Sequence, residues 1–206
     1  ESAWRDARIA RIYEGTNEIN RMLSVGMLVK KAMKGHVDLL GPASEVQAEL
    51  MGIPSFETPD YSELFAEEKE MIGKLKKAFL MVAGGAVQKY GPDLDGHQQL
   101  LMAAADILIE IYMAESTILR TEKLAKTKGE AAVKEQIAMA QLYLYKAVDI
   151  ITQKGKEGIV SFAEGDEQRM MLMGLRRYTK YTNMPNVIGL REIITSKLVA
   201  ENAYCF

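Results

Sequence analysis

Residues 60–92 read DYSELFAEEKEMIGKLKKAFLMVAGGAVQKYGP, and this stretch decides the fold. Asp60 and Glu63 match a variant of the helix capping box, and Gly91-Pro92 ends the helical pattern. The spacing therefore predicts one helix of about 30 residues, about 45 Å long at the α-helical rise per residue. Apolar residues recur in it at steps of three and four, on one face of the helix: Leu64, Phe65, Met71, Ile72, Leu75, Phe79, Val82, Ala86 and Tyr90.

Two adjacent glycines, Gly84 and Gly85, interrupt this pattern inside the predicted helix. Each glycine costs the helix about 1 kcal/mol relative to alanine. We expect the pair to permit the close approach of a neighbouring helix. A kink in the helix is the alternative.

The same periodicity continues on both sides of this stretch. Glycines or the Asn183-Met184-Pro185 sequence end most of the segments, and Gly155 and Gly158 are expected to stop one of them. Further helices are predicted over residues 16–34, 95–128, 130–154, 164–182 and 187–201. Strand patterns and hairpin dipeptides are absent. Long helices joined by short turns predict an all-α fold, an antiparallel (up-and-down) helical bundle.

Residues 36–59 differ from the helical segments in their glycine and proline content. Gly41-Pro42, Gly52, Pro54 and Pro59 punctuate them, which is typical of a linker with at most one helical turn around Ser44–Met51. The domain boundary is expected inside this stretch.

Composition excludes several classes of protein. The 206 residues carry a net charge of −2, so no overall positive field draws the chain to nucleic acid. Cys205 is the single cysteine, which excludes an internal disulfide framework and a cysteine-based zinc site. Neither His36 nor His97 follows a glutamate by three residues, as a di-iron bundle requires, so no metal site is predicted. No apolar run is long enough for a membrane span, and no signal peptide is visible.

The chemistry-bearing stretch is RDARIARIYEGTNEI, residues 5–19. Tyr13-Glu14-Gly15 separates two helical patterns, and Thr16 is a natural N-cap for the second helix. A glutamate in this place could act as a general base if apolar surroundings raised its pKa. From the spacing alone, a solvated glutamate that precedes a cap is the favoured interpretation.

The segments RDAR, residues 5–8, and IYEGTNEI, residues 12–19, resemble the C-terminal signature of the acyl-CoA dehydrogenases, the flavoenzymes of fatty-acid β-oxidation. The long helical part that follows is similar to the extra C-terminal domain of the very-long-chain branch. The resemblance implies three parts. Residues 1–35 would be the C-terminal end of the catalytic domain, residues 36–59 a linker, and residues 60–206 a C-terminal helical-bundle domain.

The resemblance also implies roles for single residues. Glu14 would be the catalytic base that removes the α-proton of an acyl-CoA while hydride leaves the β-carbon for FAD. Its backbone N–H would help to hold the thioester oxygen. Tyr13 and Gly15 would flank the substrate. Three residues at the helix N-terminus would contact FAD: Thr16, Asn17 and Glu18.

Further expectations concern the whole enzyme. The substrate would be a long-chain acyl-CoA, the product a trans-2-enoyl-CoA, and the electron acceptor an electron-transfer flavoprotein or a similar protein. The parent would be a homodimer, located in the cytoplasm of a bacterium or in the mitochondrion of a eukaryote. Because the chain begins at Glu1 and carries no flavin-binding β-domain, we expect it to be part of a longer enzyme and inactive alone.

Two alternatives of a different class stay open. The chain could be a non-catalytic helical interaction or oligomerisation module, which predicts a large exposed apolar patch. It could instead associate with a membrane surface through its lysine groups, which predicts salt-sensitive binding to liposomes.

Overall fold

The computed structural model describes residues 1–52 and 60–206, and these contain α-helices and 3₁₀ turns but no strand. The predicted all-α fold is therefore confirmed. None of the helices in these two ranges is long and apolar enough to cross a membrane. The helices are α1 (Ser2–Ile9), α2 (Asn17–Met33), α3 (Leu40–Met51), α4 (Ala66–Tyr90), α5 (Gln98–Lys128), α6 (Lys134–Phe162), α7 (Gly165–Tyr178) and α8 (Val187–Glu201).

Ion pairs between α4 and α5 show that these two helices are antiparallel. Lys69 Nζ lies 2.9 Å from Glu122 Oε1, and Lys76 Nζ lies 2.6 Å from Glu115 Oε1. Residue numbers thus increase from 69 to 76 along α4, while those of the paired glutamates in α5 decrease from 122 to 115. The connection between the two helices is a 3₁₀ turn over Gly91–Gly96.

The helix α6 runs in the same direction as α4. Gln141 Nε2 donates to Glu68 Oε1 at 2.6 Å, and the Tyr90 hydroxyl donates to the Ser161 carbonyl at 3.3 Å. Helix α7 then returns along α4, since Gly85 faces Met171 while Gly174 faces Met81. The order α4 to α7 is therefore the predicted up-and-down bundle.

One hydrophobic core runs through the bundle and includes residues of α2 and α3. Val25 of α2 and Val46 of α3 belong to the same cluster as the bundle side chains. The predicted division at residues 35 and 59 stays a prediction, and residues 53–59 of the expected linker lie outside the described residues. The largest fully buried side chains are those of Tyr178, Met71, Leu75, Ile107, Ile118, Leu144, Ile151, Ile159, Leu175 and Val82.

The structure corrects the prediction for residues 40–51. They form the twelve-residue helix α3, where at most one helical turn around 44–51 was expected. Gly41-Pro42 lies in the first turn of α3, where proline is tolerated because its missing N–H would have no partner inside the helix. Val46 and Leu50, one turn apart, pack into the core.

The start of α4 was also predicted too early. Asp60 Oδ1 accepts from the N–H of Ser62 at 2.9 Å, so Asp60 closes a local turn and does not cap the helix. The helix begins at Ala66, after Phe65 with a φ of 63°. Phe65 is buried, so core packing fixes this entry point.

Helix α6 was predicted to stop at Gly155, but it continues to Phe162. A Cβ on Gly155 would lie 2.7 Å from Leu175 Cδ1, and one on Gly158 would lie 3.0 Å from Val82 Cγ1. The two glycines therefore mark helix crossings, and packing outweighs their low helix propensity.

The expected close approach at the glycine pair of α4 is confirmed. A Cβ on Gly85 would lie 2.9 Å from both Met171 Cε and Phe162 Cε2. A Cβ on Gly84 would meet only Ala43 Cβ, at 3.4 Å. The helix continues through both positions without a break.

Candidate functional site

The loop between α1 and α2 holds the predicted catalytic glutamate. The N–H of Asn17 donates to the Arg11 carbonyl at 3.1 Å and closes the loop. Glu14 has a φ of 59° and Gly15 a φ of 87°, so both lie in the left-handed region. A residue with a side chain seldom adopts that conformation, and such positions are enriched at functional sites.

Asn20 holds the loop from inside the first part of α2. Its side-chain Nδ2 donates to the Gly15 carbonyl at 2.8 Å. A Cβ on Gly15 would come 2.8 Å from Asn20 Oδ1 and would need the left-handed backbone as well. Sequence reasoning missed Asn20. The sequence signal that could have found it is an amide side chain one turn after the N-cap, a few residues after a glycine in a turn.

The predicted N-cap is confirmed. Thr16 Oγ1 accepts from the N–H of Ile19 at 3.2 Å, and α2 begins at the next residue. Glu18 lies in the first turn, where a negative charge suits the helix dipole. Thr16 and Asn17 are half-buried, whereas Glu18 is exposed.

Helix α2 fixes this loop to the bundle. Arg21 Nε lies 2.8 Å from Asp106 Oδ1 of α5. Val25 and Ala32 are buried on the same helix. Further along α2, Lys30 Nζ lies 3.9 Å from Asp95 Oδ2. The loop that carries Glu14 therefore ends at a helix that is held in place by both packing and ion pairs.

The Glu14 side chain is exposed, as are those of its neighbours Tyr13 and Ile12. Within residues 1–52 and 60–206, no salt bridge reaches its carboxylate and no backbone carbonyl accepts from its N–H. The apolar surroundings expected around Glu14 are therefore not supplied by the part of the chain that the structure describes. The site presents a carboxylate and a backbone donor side by side.

Exposed apolar side chains flank this loop. We call them the α2 apolar surface: Ile12, Tyr13, Ile19, Leu23 and Met27. Three of them recur every four residues along α2, on a different stripe from the buried Val25. Contiguous exposed apolar surface of this kind marks an interaction site on a soluble protein.

Charged and phenolic groups elsewhere tie helices together. Glu49 of α3 pairs with Lys77 of α4 at 2.6 Å and with Arg177 of α7 at 3.2 Å. Burial, and after it the Glu49 carboxylate, raises the pKa of Tyr178.

Tyr143 and His97 also have polar or aromatic partners on neighbouring elements. Burial and the bond to Glu110 raise the pKa of Tyr143 to about 12. His97 precedes α5 and stacks on Tyr90 with ring centroids 3.6 Å apart. In the described ranges, no three histidine, cysteine or carboxylate side chains gather as a metal site would require.

Known proteins resemble the chain over nearly its whole length. The sequence model described as acyl-CoA dehydrogenase, C-terminal domain, matches residues 74–177. A probable acyl-CoA dehydrogenase of Bacillus subtilis (strain 168) is 40% identical over 201 residues, which are 98% of this chain and 34% of that protein.

A solved structure agrees in both sequence and fold. The crystal structure of an acyl-CoA dehydrogenase complexed with FAD from Bacillus anthracis has a TM-score of 0.88 and 40% identity. The match covers 98% of this chain and 34% of that one, so the chain spans about a third of the length of these relatives. The chain belongs to the acyl-CoA dehydrogenase family.

Proposed function

We propose that the chain is the C-terminal part of an FAD-dependent acyl-CoA dehydrogenase and supplies its catalytic base. The observation that carries the proposal is the loop at Glu14, a left-handed, exposed glutamate fixed at the N-terminus of α2. The relatives, both named as acyl-CoA dehydrogenases, support the reaction class. The reaction would convert an acyl-CoA to a trans-2-enoyl-CoA.

The loop is compatible with a flavin cofactor. Gly15 presents backbone without a side chain, and α2 offers its positive end beside Thr16. Thr16, Asn17 and Glu18 would hold polar atoms of FAD. When bound, FAD supplies the acceptor for the hydride that leaves the β-carbon.

Glu14 would take the α-proton onto its carboxylate. The proton is weakly acidic, so the developing charge on the thioester oxygen needs a donor. The N–H of Glu14 donates to no backbone carbonyl among the described residues and would provide that donor. Tyr13 and Gly15 would border the acyl chain, and the close fit of substrate would remove water from the carboxylate.

The missing two-thirds of the enzyme would cover the α2 apolar surface and complete both binding sites. We therefore propose that the 206-residue chain alone is inactive. The test mixes the chain with excess FAD, a long-chain acyl-CoA and an artificial electron acceptor. Turnover above that of free FAD would refute this part of the proposal.

The central test replaces Glu14 by glutamine in a complete enzyme that carries this chain. Bleaching of the flavin absorbance by acyl-CoA should fall by about 10²–10⁴-fold, the usual contribution of a general base, while FAD stays bound. Glu45→Gln is the matched control, because Glu45 is an exposed glutamate of α3 outside the loop. Equal bleaching by the two variants would exclude Glu14 as the base.

The finer features of the enzyme are also proposals. We propose a long-chain substrate, an electron-transfer flavoprotein or similar acceptor, and a homodimeric parent, each supported by the resemblance to the very-long-chain branch. Bleaching rates across acyl-CoAs of increasing length test the first. A maximum at short chains would overturn it.

An interaction module is the second candidate, favoured by the outer side of α5. Ile109, Tyr112, Met113 and Leu119 are exposed there, and Tyr112 is 67% exposed. Sedimentation velocity of the chain and of the Tyr112→Ser, Leu119→Ser double variant tests it. Self-association that the double variant abolishes would support the module, and a monomer at all concentrations would contradict it.

A further inference from the structure

A cavity of about 340 Å³ lies between α2, α3, α4 and α7. Its walls are mainly aliphatic and aromatic side chains, among them Val29, Ala43, Phe79 and Ala83. None of the residues 13–18 lines it. The cavity is therefore separate from the loop that carries Glu14.

Small residues create this space. Gly84 lines the cavity, and a Cβ there would contact only Ala43 Cβ, at 3.4 Å. Ala83 and Gly84 stay partly accessible although they lie inside the long helix α4. The neighbouring Gly85 meets Phe162 and Met171 closely. Gly84 thus leaves room, whereas Gly85 lines the cavity and also lies at a close packing contact.

The polar residues that line the cavity define its opening. Ser44, Gln47, Gln88 and Glu167 are all exposed and line it. Neither lysine nor arginine occurs among its lining residues in the described part of the chain. The opening therefore offers hydroxyl and amide groups and one carboxylate. Among the described lining residues, a negatively charged head group would meet the carboxylate of Glu167 and no cation.

The dimensions favour a chain-like ligand. The lining of α4 extends from Phe79 to Gln88, about 14 Å at the helical rise per residue. An apolar cavity of about 150 Å³ stays dry and binds benzene. The volume here is more than twice that, which gives room for about a dozen carbon atoms.

We propose that this cavity binds a neutral, unbranched aliphatic chain of about ten to twelve carbons, with a hydroxyl or ester end at the opening. Binding there depends only on the walls of the cavity and not on the role of Glu14. Apolar walls reject water and favour an apolar guest. The polar opening selects an uncharged end over a carboxylate.

Methyl NMR of the 206-residue chain, labelled at the methionine methyl groups, tests the proposal with 1-decanol as the probe. Met81 and Met171 line the cavity and should shift in a saturable way. Met113 and Met184 lie outside it, are exposed, and should not move. Decanoate should bind about fivefold more weakly or worse, because its carboxylate faces Glu167.

Two variants of the same helix provide a matched comparison. Gly84→Leu places a side chain in the cavity and should weaken 1-decanol binding by about tenfold or more. Gly73→Leu makes the same change where a Cβ meets nothing within 4 Å, and it should bind like the unchanged protein. If Gly84→Leu does not fold, Ala83→Leu replaces it as the filling variant.

Selective loss of binding in the filling variant, with shifts confined to the cavity methionines, would support the site. The absence of saturable shifts, equal shifts at Met113 and Met184, or equal binding by the two glycine variants would overturn it. Decanoate that binds as tightly as 1-decanol would overturn the selection for a neutral end.

Discussion

Alanine at Gly85 should destabilise the protein relative to alanine at Gly73, although both residues lie in α4. The Cβ of alanine at position 85 would lie 2.9 Å from Met171 Cε, and 2.9 and 3.0 Å from two carbons of the Phe162 ring. Met171 and Phe162 are both buried, and the rigid ring of Phe162 cannot move away freely. At position 73 the same Cβ meets nothing within 4 Å.

The size of the effect follows from two opposing contributions. Each replacement gains about 1 kcal/mol of helix propensity. Overpacking in a filled core costs about 1–3 kcal/mol, and this cost applies to Gly85 alone. Gly73→Ala should therefore stabilise by about 1 kcal/mol, and Gly85→Ala should lie about 1–3 kcal/mol below it.

Urea unfolding and thermal unfolding, both followed by far-UV circular dichroism, measure both variants. For a domain of this size, each kcal/mol corresponds to about 2–4 °C in Tm. The two variants should therefore melt about 2–12 °C apart. If Gly85→Ala were as stable as Gly73→Ala, the close crossing of α4 with α6 and α7 would be wrong.

Three further changes test other parts of the structure. Thr16→Ala removes the N-cap of α2 and should cost about 1 kcal/mol in urea unfolding; no loss would mean that the cap does not stabilise α2. Bonds from the ammonium groups of Lys69 and Lys126 lower the pKa of Glu122 below its ordinary value of 4.5. The stabilisation of the fold by these two bonds is present above pH 4.5 and is lost as the pH falls through the lowered pKa of Glu122 in the folded state. Glu122→Gln should therefore flatten the acid side of the stability curve, and an unchanged slope would contradict this. Asn20→Ala frees the loop and, in a complete enzyme, should slow flavin bleaching by about tenfold or more while FAD stays bound; loss of FAD instead would indicate a structural role.

The sequence predicted the helices best where a local signal decides the boundary. The Thr16 cap and the turn at Gly35, with a φ of 71°, bound α2 as predicted. Helix α8 has its predicted limits, Val187–Glu201. At these boundaries, residues within a few positions of the helix end determine where the helix begins or ends.

Prediction failed where tertiary packing decides. Gly155 looks like a helix end in sequence, but it lies at a crossing where Leu175 fills the space above it. Asp60 looks like a cap, but the buried Phe65 fixes the start of α4 instead. Leu175 is distant in sequence from Gly155, and the burial of Phe65 depends on the rest of the core, so no local pattern could reveal either outcome.

The candidate site could be predicted in its members but not in its geometry. The motif singled out Glu14 and Gly15, and the structure adds that both have positive φ. The hydrogen bond from the Asn20 side chain to the Gly15 carbonyl depends on how the loop turns back towards α2. The described residues leave the Glu14 carboxylate exposed, so its role stays a proposal.

Removal of the α-proton can be measured without hydride transfer, and this tests the role of Glu14 most directly. The substrate is an α-deuterated acyl-CoA analogue in which sulfur replaces the β-carbon, so no hydride can leave. In a complete enzyme that carries this chain, loss of deuterium to water is followed by NMR for the unchanged protein, Glu14→Gln and Glu45→Gln. We expect exchange to fall by about 10²–10⁴-fold in Glu14→Gln alone. Exchange at the unchanged rate in Glu14→Gln, with the analogue still bound, would contradict the account.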